Sequence, residues 1–93
     1  MYATVRVYAG TPALADALVE RESDVKALIS GIDGFEAYYL VKTADGTASV
    51  SVYQSQDGVE ESIRVAAAWI TENLPQFAGA APQISAGDVV INF

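Results

Sequence analysis

Residues 34–53 read GFEAYYLVKTADGTASVSVY, two runs of alternating side chains on either side of Asp45-Gly46. An Asp-Gly pair between alternating segments is the strongest short-range hairpin signal, so the stretch is expected to fold as two antiparallel strands. With those two residues as the loop, Val41 faces Val50, Tyr39 faces Val52 and Thr43 faces Ala48 on one side. On the other, Leu40 faces Ser51, Lys42 faces Ser49 and Tyr38 faces Tyr53. One face is thus nearly all apolar, while the other mixes tyrosines with serines and a lysine. What each face packs against decides the architecture.

Upstream, Tyr2–Tyr8 alternates in the same way, with Ala3, Val5 and Val7 on one side and Tyr2, Thr4, Arg6 and Tyr8 on the other. Gly10-Thr11-Pro12 then reads as a helix start, with Thr11 as N-cap and proline in the first turn. Leu14, Ala17, Leu18, Val25, Leu28 and Ile29 keep helical spacing as far as Ser30, and Gly31 is a natural stop. Downstream of the hairpin, Asp57 with Glu60 forms a capping-box pattern. Val59, Ile63, Ala66, Ala67, Ile70 and Leu74 share one stripe, ended by Pro75. A last strand is expected over Ile84–Phe93, where Val89, Ile91 and Phe93 alternate. The order β-α-β-β-α-β predicts one α+β domain over residues 1–93. Right-handed crossovers make it a ferredoxin-like fold, a four-stranded antiparallel sheet with both helices on one face. The apolar positions Ala3, Val5, Val7, Tyr39, Val41, Val50 and Val52 are expected beneath the helices, which leaves the tyrosine-bearing face open.

Composition narrows the function. At 93 residues and 52% hydrophobic, the chain has more apolar side chains than so small an interior holds, so self-association is the simplest outlet. A net charge of −7 with five cations argues against nucleic acid and anionic membrane surfaces as partners. There is no cysteine, which removes disulfides, thiolate nucleophiles and zinc-thiolate sites. There is no histidine either, which removes the commonest general base and metal ligand. The carboxylates Asp16, Glu20, Glu22 and Asp24 fall on the polar side of the first helix as a solvated face, so no metal site is expected. MYATVRVYAG lacks a basic leader region and carries Arg6 within its apolar run, so a cytoplasmic location is the default expectation.

The βαββαβ order, the phrase GIDGFEAYYLVKTADGTASVSVY and the helix ESIRVAAAWITENL together resemble the dimeric α/β-barrel superfamily. Within it they are most similar to small antibiotic-biosynthesis-monooxygenase-like (ABM-like) proteins. The resemblance implies a homodimer in which two sheets pack face to face into a closed barrel. On that reading Tyr2, Thr4, Leu40, Lys42, Ser49 and Ser51 form the dimer face. Oxygenases of this kind hold their substrate between the sheet and the second helix beside a tryptophan, and Trp69 matches by position. The haem-degrading branch adds a histidine after this helix, which this chain lacks. The cofactor-free quinone-forming branch pairs its tryptophan with an asparagine one turn earlier, where Val65 stands. The resemblance therefore implies binding of a small aromatic or polyketide-like molecule, with cofactor-free monooxygenase chemistry at most. The alternative is a non-enzymatic homodimer for ligand sensing or partner contact. No cofactor is implied and the catalytic residues are left unassigned.

Four residues are candidates for ligand contact: Arg6, Tyr38, Tyr53 and Trp69. Arg6 sits mid-strand on the tyrosine face, where a buried cation needs a partner. A carboxylate such as Glu36, or one from a second subunit, makes it structural; a ligand carboxylate or phenolate makes it functional. Tyr38 and Tyr53, with Tyr8 and Tyr39, are placed to hydrogen-bond a phenolic ligand, and without histidine they are the main proton-handling groups besides carboxylates. Trp69 either closes the helix onto the sheet or walls a small-molecule cleft. Lys42, next to the turn, is expected at a solvated rim.

Overall fold

The computed structural model describes all of residues 1–93. Four strands, β1 (Tyr2–Ala9), β2 (Phe35–Lys42), β3 (Gly46–Tyr53) and β4 (Gln83–Asp88), form one antiparallel sheet in the order β2-β3-β1-β4. The helices α1 (Pro12–Glu20), α2 (Glu22–Ser30) and α3 (Gln56–Asn73) lie on one face of it. A single 3-10 turn, Pro75–Phe77, begins the return to β4. The ferredoxin-like α+β fold expected from the element order is the fold observed.

The largest correction concerns which face the helices cover. Thr4, Arg6, Tyr8, Thr47, Ser49, Ser51 and Tyr53 are buried beneath them, while Val5, Val7, Tyr39 and Val41 lie exposed on the other side. Side-chain volume and hydrogen-bond pairing decide the inward face, not the number of apolar residues. Tyr8, Tyr38, Tyr53 and Leu40 are the large bodies on the sheet, and they fill the space under Leu14, Leu18, Ile29, Val59 and Ile70. The polar side chains among them are tolerated because each finds a partner. The Arg6 guanidinium donates to Ser49, Ser51 and the Ser62 carbonyl, and the Tyr53 hydroxyl donates to the Ile29 carbonyl at 2.8 Å. Thr47 also borrows itself to α1: its Oγ1 accepts the Ala15 N–H at 3.1 Å and donates to the Thr11 carbonyl at 2.8 Å. Thr11 makes no side-chain cap of its own, so a strand residue does part of that work.

The hairpin register is shifted by two residues from the expected one. Tyr39 pairs with Val50, Val41 with Ala48 and Leu40 with Ser49. The cause is Gly46, where a Cβ would stand 2.4 Å from the Tyr8 carbonyl oxygen. The glycine is used for close approach of β3 to β1 and cannot also serve as the second turn residue. Ala44-Asp45 form the turn instead, closed by the Thr43 N–H on the Gly46 carbonyl at 3.0 Å. A shift of two preserves which residues share a face.

Three smaller differences follow from tertiary contact. The expected first helix is broken at Arg21, which leaves helical geometry at φ −112°, ψ 28°. Its guanidinium bonds Asp24 three residues on, and also reaches Asn73 and stacks over Trp69, two contacts that helical periodicity does not contain. The last helix starts at Gln56 with Ser55 before it, slightly earlier than Asp57. The last strand ends at Asp88, earlier than expected, with the Val89 N–H on the Met1 carbonyl at 2.9 Å. Val90, Ile91 and Phe93 are exposed. No helix is long and apolar enough to cross a membrane.

Candidate functional site

Arg6 stands at the middle of β1 with 3% of its surface exposed. Its Nε donates to Ser49 Oγ at 3.2 Å, one terminal nitrogen to Ser51 Oγ at 3.4 Å, and the other to the Ser62 carbonyl at 3.4 Å. All three acceptors are neutral, and the contacts are long beside the ~2.8 Å of a guanidinium–carboxylate bond. No carboxylate pairs with it: the ion pairs of the chain are Arg21–Asp24, Lys42–Asp16 and Arg64–Glu61. Glu36, the expected partner, is exposed and accepts from Gln54 instead. The core therefore holds a fixed positive charge without an opposite one.

Three phenols respond to that charge. Burial pushes Tyr8, Tyr38 and Tyr53 above the ordinary tyrosine value, and the Arg6 charge pulls each part of the way back. They stay neutral across physiological pH.

Open space lies on both sides of Arg6. On the α2 side a small cavity of about 30 Å³ touches Arg6, Tyr8, Tyr38, Leu40 and Trp69. It adjoins a groove of about 340 Å³ between α2 and β2, with Leu18, Val25, Ile29, Tyr38 and Leu40 common to both. On the α3–β4 side a separate chamber of about 140 Å³ reaches Arg6 and Tyr8 from under the Phe77–Pro82 connection. The Trp69 ring is held from behind by Arg21, whose guanidinium carbon is 5.4 Å from the ring centroid. Asn73 completes that brace: its Oδ1 accepts from Arg21 at 3.3 Å and its amide donates to the Trp69 carbonyl at 3.0 Å.

Of the four candidate ligand residues, the structure brings Arg6, Tyr38 and Trp69 to one cavity. Tyr53 lies on the same covered face, but its ring packs edge-on against Phe35 at 5.8 Å and its hydroxyl is committed to Ile29. The residues expected at a dimer face are placed differently. Thr4, Ser49 and Ser51 are buried within the protomer, with Thr4 Oγ1 on the Ser85 carbonyl and both serines on Arg6. Tyr2 and Leu40 are half-buried against the core, and Lys42 is exposed at the rim and paired with Asp16 at 3.0 Å. The inverted face is the reason: these positions alternate with the valines that are open. Val65, half-buried on α3, lies away from the cavity, and the asparagine next to Trp69 is Asn73, one turn later. Sequence reasoning missed Ser62, whose carbonyl steadies Arg6, and Arg21, whose stacking on Trp69 crosses 48 positions without a local signal.

No family model and no curated protein matches the sequence. Solved structures do match in fold. A protein of unknown function from Nitrosomonas europaea superposes with a TM-score of 0.70 at 18% identity, covering 99% of this chain and 90% of that one. A monooxygenase of Streptomyces coelicolor, solved with the ligand nanaomycin D, gives 0.61 at 20% identity, covering 98% and 91%. A dimeric ferredoxin-like protein from an uncultured marine organism gives 0.62 at 13% identity, covering 99% and 95%. The chain therefore shares the ferredoxin-like fold of small ABM-like monooxygenases and of dimeric proteins built the same way.

Proposed function

We propose that this protein is a homodimer that binds a small aromatic or polyketide-like molecule between α2, α3 and the sheet, beside Trp69. The observation that carries this reading is Arg6, a buried guanidinium ringed by phenols and lacking a carboxylate. A phenolic or hydroxyquinone ligand bound with its hydroxyl ionised, the proton released to solvent, supplies the missing negative charge, its oxygen on Arg6 and Tyr38 and its ring along the apolar groove. The fold shared with a monooxygenase solved with nanaomycin D supports this reading. Cofactor-free oxygenation is the furthest chemistry this reading extends to: one oxygen atom enters the activated methylene carbon of an anthrone and the other leaves as water. The second reading, a ligand-binding dimer without turnover, is favoured by Val65 standing where a partner for Trp69 is expected, and by Asn73 being engaged with Arg21 and the Trp69 carbonyl.

The dimer would use the bare face. Val5, Val7, Tyr39 and Val41 make an exposed apolar sheet surface, which two copies cover by packing face to face. The exposed Val90, Ile91 and Phe93 add to the surface that needs cover.

Trp69 is the only tryptophan, so its fluorescence reports the site directly. Titration with dithranol, a dihydroxyanthrone, should quench it saturably, and a Val25→Phe change that narrows the groove should weaken binding tenfold or more. Absence of saturable quenching would sink the ligand reading. An oxygen electrode then separates the two readings, since only an oxygenase consumes oxygen in proportion to quinone formed and slows with Trp69→Phe.

A further inference from the structure

The buried Arg6 charge also faces a second space. The chamber of about 140 Å³ between α3, the Phe77–Pro82 connection and β4 is separated from the Trp69 cavity by Arg6, Tyr8 and Ile70, which line both. Its far walls are small or apolar: Ala67, Ala78 and Ala80, with Ile63, Phe77 and Ile84 between them. The one other polar side chain, Thr71, has its hydroxyl spent on the Ala67 carbonyl at 3.0 Å. Every polar group able to receive a ligand is thus at one end, on Arg6 and Tyr8.

From this we infer that the chamber is a binding site for a small organic monocarboxylate whose apolar body is about the size of one ring. A guanidinium keeps its charge at any pH a folded protein tolerates, so Arg6 cannot escape the cost of burial by losing a proton. Its three contacts are neutral oxygens at 3.2–3.4 Å. A carboxylate fits the planar fork of donors, and Tyr8 lines the chamber beside it. The volume sets the rest of the molecule, because an apolar cavity of about 150 Å³ accommodates a benzene-sized body. A phosphate or sulfate is a poor fit, since it needs several donors around it and the chamber offers them at one end alone.

This site shares Arg6 with the ligand reading given above but not its cavity, and the two fail separately. The probe is benzoate, with benzamide as its neutral isostere, read by calorimetry and thermal shift. At about 10 mM, where a dissociation constant of 1 mM still shows, benzoate should bind saturably and raise the melting temperature, with benzamide at least tenfold weaker. Ala67 lies on the exposed side of α3, so Ala67→Phe can fill the chamber without entering the core. It should abolish benzoate binding and leave dithranol quenching of Trp69 unchanged. Arg6→Met should abolish benzoate binding while the chain stays folded. The inference is overturned if benzoate does not bind, if benzamide binds equally well, or if Ala67→Phe leaves benzoate binding intact. Benzoate binding without dithranol quenching would instead reject the Trp69-side ligand and keep this one.

Discussion

The two faces of this sheet are built from alternate residues of the same strands, and they have opposite fates. The face carrying Arg6, Tyr8, Ser49, Ser51 and Tyr53 is sealed under three helices, while the face carrying Val5, Val7, Tyr39 and Val41 is bare. Polarity alone ranks them the other way round. The comparison shows that a helix-covered face needs bulk and complete hydrogen bonding more than it needs hydrocarbon. Valines and alanines make a flat, shallow surface suited to a second sheet, whereas tyrosines and leucine reach up between helices.

The largest expected effect breaks the bare face. A Val5→Asp, Val7→Asp double change places carboxylates at the centre of the proposed seam, where they would be buried without partners and near their symmetry copies. Light scattering should show the dimer weakened by about two orders of magnitude or more, since such juxtapositions cost several kcal/mol. An unaltered dimer would move the seam elsewhere. Next, Gly46→Ala tests the junction of β3 with β1, because its Cβ would collide with the Tyr8 backbone oxygen at 2.4 Å. Backbone has little freedom to yield, so denaturant melts should show a loss of about 2 kcal/mol or more.

A smaller effect sharpens the covered face. Tyr53→Phe removes a buried 2.8 Å hydrogen bond and leaves the Ile29 carbonyl without that donor, for a loss of about 1–2 kcal/mol. The phenols of the same face set a pH dependence. Their folded values are raised above the ordinary 10.0, so the unfolded chain loses its phenolic protons first. The stability they contribute is full below that value and is lost as pH rises from about 10 through the folded values. Melts across that range should show Tyr53→Phe with a shallower decline than the parent. The smallest effect lies outside both faces: Asp16→Asn removes the exposed pair with Lys42 and should shift stability by less than about 0.5 kcal/mol.

Much of this was legible in the residues, and the misreadings share a cause. The element order followed from Asp45-Gly46, Gly10-Thr11-Pro12, Pro75 and two clear helical stripes, all of them local signals. The sets of residues sharing a face were also right, since a register shift of two leaves parity unchanged. Which set turns inward was not local: it depends on how Tyr8, Tyr38 and Leu40 fill the space under helices that pack over them from elsewhere in the chain. The use of Gly46 against the Tyr8 carbonyl, and of Arg21 against Trp69, likewise joins distant segments. The candidate site was half legible. Arg6 stood out as a cation in a strand and Trp69 as the lone indole, but the neutral company Arg6 keeps, and the two spaces flanking it, exist in three dimensions alone.

The most direct test of the inverted faces uses the absence of native cysteine, which makes any introduced thiol a single reporter. Ser49→Cys and Val5→Cys would each be labelled with a maleimide in the native protein across a dilution series. The account predicts that the thiol at position 49 stays unreactive at every concentration until the chain unfolds. The thiol at position 5 should react, faster as dilution separates the subunits. Rapid labelling at 49 together with a position 5 protected at all dilutions would contradict the account.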